Sequence, residues 1–116
     1  MADDPFRRTF TLAEACALLP WIRERTRTAL EEIGALAIPV DELGTSGAGP
    51  EAFHEEARRI LAGWAEDVVA SGAEVKGPWL VDFDSGGGYY CWRWPEESLE
   101  YFHGYTEGFG ARVRLQ

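Results

Sequence analysis

The chain has 116 residues, a formal net charge of −9, 46% hydrophobic residues and 27% charged residues. A single domain of this size buries roughly two-thirds of its unfolded surface and can fold without a metal or disulfide to hold it. The acidity argues against nucleic acid as a partner, whose phosphates are bound mainly by Lys and Arg; Arg112-Val113-Arg114 is too small a basic patch to reverse this.

No stretch approaches the ~20 apolar residues of a membrane span. Met1-Ala2-Asp3-Asp4 is acidic, with no apolar run behind it, so no signal peptide and no membrane partner are expected. Cys16 and Cys91 lie too far apart for metal-ligand spacing. The expectation is two buried or half-buried thiols in a reducing cytoplasm, with neither cofactor nor metal.

Thr11 followed by Glu14 is a capping box, with Phe10 placed to staple onto the first turns, so a helix is predicted to start at Leu12. Leu12, Ala15, Leu19, Ile22, Thr26, Ala29, Ile33 and Leu36 form an apolar stripe interrupted only by Thr26. Arg23, Arg25, Arg27, Glu31 and Glu32 fall opposite it. Pro20 lies inside this pattern and predicts a kink or a restart. Ile38-Pro39 and the loop Gly44-Thr45-Ser46-Gly47-Ala48-Gly49 lead to Pro50, which suits a first helical turn. Phe53, Ala57, Ile60, Leu61, Trp64 and Val68 make the second apolar face, and Gly72 a C-terminal cap. His54 reads as an exposed residue near the helix start. Two such helices are expected to pack antiparallel as a hairpin over about 11–72; the sharper reading of the first stripe is a dimer seam.

After Gly72 the period changes and the aromatics concentrate: ten of the fifteen lie in 72–116. Short strands are predicted at 73–76, 79–83, 89–94 and 99–102, with an extended piece at 111–115. Gly77-Pro78, Asp84-Ser85-Gly86-Gly87-Gly88 and Pro95-Glu96-Glu97-Ser98 mark the turns. Connections this short imply an antiparallel meander. The expected fold is therefore a single α+β domain over 1–116. It comprises two antiparallel amphipathic helices, the first kinked near Pro20, then a small β-meander and a Gly-rich C-terminal tail at about 73–116.

The segment from Phe10 to Pro20 resembles the opening signature of a bacterial domain-of-unknown-function family numbered 2203. The later segments are similar too: Val75-Lys76, Leu80-Val81-Asp82-Phe83, Cys91-Trp92-Arg93, His103, and Gly108-Phe109 with Arg112. Members usually carry a polar residue at the position of Cys16 and Trp at that of Phe102. The resemblance supports the fold and the choice of candidate residues; it implies no activity.

Five polar residues sit among the aromatics: Lys76, the only lysine, with Asp82, Arg93, His103 and Arg112. The bland reading is a set of ion pairs and stacked guanidinium groups that fix the sheet. A non-enzymatic binding or assembly module, forming a homodimer through the stripe or the aromatic face, is the leading functional expectation. The alternative is a pocket for a small anionic ligand, or an enzyme. There His103 and Asp82 would act as the acid/base pair, and Lys76, Arg93 or Arg112 would hold the anion. A metal held by His103, Asp82 and Cys91 is a third reading, disfavoured because the chain has two histidines.

Overall fold

The computed structural model describes residues 8–37 and 50–115; the Gly-rich loop at 44–49 lies outside them. Two helices precede a five-stranded antiparallel sheet, an α+β fold. Helix α1 spans Leu12–Ala37 and helix α2 Pro50–Ala70. The capping box is formed: the Thr11 amide donates to Glu14 Oε1 at 2.9 Å, and the Glu14 amide to Thr11 Oγ1 at 3.1 Å. Two amides that the first turn would leave unpaired are thereby satisfied. Pro20 falls inside this one helix rather than between two.

The helices run antiparallel. Arg8 reaches the Ser71 carbonyl at 2.7 Å, whereas further along α1 Thr26 meets Trp64. Ala15, Leu19, Ile22 and Ala29 are buried on the α1 stripe, facing a core that includes Trp64 and Val68 of α2. Thr26 belongs on that stripe. Its hydroxyl donates to the Ile22 carbonyl at 2.7 Å and accepts the Trp64 indole N–H at 2.8 Å. A fully buried indole N–H needs such a partner. Arg25 departs from the expected solvated face: it bridges to Asp67 of α2 at 2.7 Å.

The strands are β1 Glu74–Gly77, β2 Leu80–Asp84, β3 Tyr89–Arg93, β4 Tyr101–His103 and β5 Val113–Arg114. Each pairs with the next in sequence, giving the expected meander. Trp79 belongs to the first turn rather than to a strand, with φ of 62°, and its ring packs on Trp64 at 4.9 Å. Leu99 and Glu100 precede β4, which instead takes in His103.

Strand alternation divides the sheet. Val81, Phe83 and Trp92 point to the helices and share one core with Phe10, Ile22, Trp64 and Val68. Asp82, Asp84, Cys91 and His103 are also buried, in the alternate positions, on the face turned away from that core. The aromatic face of β3, with Tyr90, Trp92 and Trp94, is therefore helix packing. Cys16 is exposed, not buried as expected, because it sits one position off the stripe residue Ala15.

Candidate functional site

Register builds the polar face. Asp82 pairs with Cys91 across β2 and β3, Glu74 with Asp82 across β1 and β2, and Tyr89 with His103 across β3 and β4. Directly opposed residues share a face. His103 Nε2 lies 2.9 Å from Asp82 Oδ2, and its Nδ1 lies 2.9 Å from the Gly104 carbonyl. A carbonyl only accepts, so Nδ1 carries the proton of that bond. Lys76 Nζ sits 3.5 Å from the same Asp82 oxygen and 3.4 Å from Glu74 Oε1. Asp82 Oδ1 is buried with no hydrogen-bond partner among the described residues.

Aromatic rings roof this layer. Tyr89 tilts against His103 at 5.5 Å and meets Tyr105 edge-on at 5.1 Å. The Tyr105 hydroxyl donates to Asp84 Oδ1 at 2.6 Å, and the Lys76 ammonium lies 3.8 Å from the Tyr89 ring centre. Burial works against the Lys76 charge, but Asp82, Tyr89 and Glu74 together outweigh it and hold its pKa above the usual lysine value. Burial raises the Tyr89 hydroxyl pKa, and Glu74 adds to that.

Cys91 completes the group. Burial, then the neighbouring Asp82 carboxylate, push its thiol up to about 12, against the opposing charge of Arg112. The donor atoms of Asp82, Cys91 and His103 all lie within 4.8 Å of one another.

Of the five residues singled out in the sequence, Lys76, Asp82 and His103 converge. Arg112 lies beside Cys91, but Glu96 grips its guanidinium at 3.1 and 2.6 Å, and the Tyr101 and Phe109 rings sandwich it at 4.0 Å each. Burial disfavours its charge; the Glu96 contacts more than compensate and raise its pKa. Arg93 shares the face of Asp82 but pairs with Leu80 at the far end of β3. It is exposed there, 5.3 Å from the Phe109 ring. His54 is exposed on α2, as expected. Glu96, Tyr89 and Tyr105 were not predicted as parts of the site. In the sequence Glu96 falls in the 95–98 turn and the two tyrosines among the ten aromatics of 72–116, with no local signal that sets them apart.

The group can hold a proton or a cation between carboxylate and imidazole. The hollows lined by Leu18 and Trp21, by Leu61 and Val75, and by Cys16 and Pro20 involve other residues. No helix among the described residues is long and apolar enough to cross a membrane.

No curated protein and no solved structure matches the chain. The family model described as Uncharacterized conserved protein (DUF2203) matches residues 8–115, which takes in both helices and all five strands. Through both its helical hairpin and its sheet, the chain thus belongs to that uncharacterised family.

Proposed function

We propose that the protein is a non-enzymatic binding and assembly module of the cytoplasm that forms a homodimer through its helical hairpin. One observation carries this reading. Trp21 of α1 and Val69 of α2 are 46% and 57% exposed, and Trp21 borders a hollow of about 340 Å³ with Leu18, Ala70, Ser71 and Asp67. A large apolar knob beside an apolar hollow suits a twofold contact, in which each copy offers the knob that the other receives. The fold is long enough for such a contact, at 58 × 31 × 24 Å. Its radius of gyration is 17.0 Å, against about 13 Å for a compact chain of this length. Two unpaired thiols, Cys16 and Cys91, suit a reducing compartment.

The anionic-ligand or enzymatic alternative is less well served. Lys76 and Arg112 each already face carboxylates, and Arg93 stands apart from the His103–Asp82 pair.

Light scattering at micromolar concentration tests dimer formation. A mass of about twice 12.9 kDa is expected, falling to the monomer value in Trp21→Glu with unchanged circular dichroism. A monomeric wild-type chain would overturn the proposal.

A further inference from the structure

We propose that Asp82, Cys91 and His103 form a site for one divalent transition-metal ion of the zinc type. The inference is independent of the assembly reading and rests on three features of the polar face.

The first is the donor set. A thiol sulfur, an imidazole nitrogen and a carboxylate oxygen from three adjacent strands lie within 4.8 Å of one another, and all three residues are buried. Sulfur with imidazole selects borderline and soft ions such as Zn²⁺ or Co²⁺ over Mg²⁺ and Ca²⁺, which demand oxygen. One doubly charged ion, one thiolate, one carboxylate and one neutral imidazole sum to zero charge. A neutral assembly is the kind that a buried layer tolerates.

The second is the orientation of His103. Nδ1 donates to the Gly104 carbonyl at 2.9 Å, which directs Nε2 at Asp82. A backbone carbonyl on the distal nitrogen is how metal-binding histidines are commonly held. With the proton on Nδ1, a neutral ring presents a lone pair to a carboxylate oxygen 2.9 Å away. Two acceptors in that position require a cation between them, either a proton or a metal.

The third is Asp82 Oδ1, buried without a hydrogen-bond partner among the described residues. An orphaned carboxylate oxygen in a buried layer is costly unless something occupies it. Lys76, at 3.5 Å from Oδ2, can remain with Glu74 when the ion takes the carboxylate. The thiol proton and the proton held between His103 Nε2 and Asp82 Oδ2 both leave to solvent as the ion is coordinated. Three protein donors leave one tetrahedral position for water or another ligand.

The rival is a metal-free ion pair with a proton between His103 and Asp82. Titration of tag-free, chelator-treated full-length protein with Co²⁺ separates the two. Binding of one equivalent per chain is expected, with a thiolate-to-cobalt charge-transfer absorption that added Zn²⁺ abolishes and Mg²⁺ leaves intact. Cys91→Ser should lose that absorption and weaken Zn²⁺ binding by more than the roughly 100-fold that follows loss of an outer-shell partner. Cys16→Ser should change neither. The wild-type titration decides the matter even if Cys91→Ser fails to fold. Absence of the charge-transfer absorption, or its loss in Cys16→Ser but not in Cys91→Ser, overturns the site.

Discussion

The two faces of the sheet are made from alternate residues of the same strands, and both are buried, but on different chemical terms. On the helix side, Val81, Phe83 and Trp92 join one apolar core with Ile22, Trp64 and Val68. On the other, Asp82, Asp84, Cys91 and His103 are shielded under Tyr89, Tyr105 and Lys76. Apolar burial is the dominant favourable term in folding. Burying a carboxylate, a thiol and an imidazole instead incurs desolvation that their contacts at best offset. The difference teaches that the first face holds the fold together by apolar burial, whereas the second is held by hydrogen bonds and ion pairs whose gain the desolvation largely offsets.

The comparison can be broken most sharply on the apolar side. Phe83 is fully buried, so Phe83→Ala should lower stability by about 3–5 kcal/mol in urea denaturation. A loss below about 1 kcal/mol would mean that the helix-facing layer is not the core. Thr26→Val comes next. It keeps the shape but strands the Trp64 indole N–H, and should cost about 1–3 kcal/mol. Thr26→Ser, which keeps the hydroxyl, should recover most of that.

On the polar side, Gly88 allows a close approach. A Cβ there would meet the Phe102 ring and stand 2.8 Å from the His103 carbonyl. Gly88→Ala is expected to cost more than about 1 kcal/mol. Gly87→Ala, where nothing lies within 4 Å of an added Cβ, should be nearly silent. Equal effects would mean that the loop does not position β4. The smallest effect concerns the thiols. Cys16 is exposed and should react quickly with an aromatic disulfide reagent under native conditions, whereas buried Cys91 should react only on unfolding. Two fast thiols would show that the polar layer opens freely.

Much of the framework was legible in the sequence. Thr11 and Glu14 announced the start of α1, two apolar stripes announced the hairpin, and Gly and Pro clusters announced the meander, because each depends on local spacing. What escaped depends on tertiary partners. Thr26 looked like an interruption of its stripe until Trp64 stood opposite it. Trp79 looked like the start of a strand, but it adopts a left-handed turn conformation while its ring packs on Trp64.

The candidate site was half legible. Asp82, His103 and Lys76 stood out as polar groups in an aromatic block, and they converge. Opposition of Cys91 to Asp82 required the register of β2 and β3, which the 85–88 loop sets and which a one-residue slip would reverse. Arg93 and Arg112 looked equivalent as anion holders. Glu96, from the turn after β3, pairs with Arg112 and leaves Arg93 at the rim.

The most direct measurement of whether the apolar face, and not the polar one, holds the fold together is urea denaturation of a triple variant, Asp82→Leu with Cys91→Val and His103→Leu, in metal-free buffer. Apolar replacements of a buried polar group are often neutral or stabilising. An unfolding free energy equal to or above that of the wild type, with unchanged circular dichroism, is the expected result. A loss of about 3 kcal/mol or more, comparable to breaking a buried ion pair that supports the fold, would contradict it.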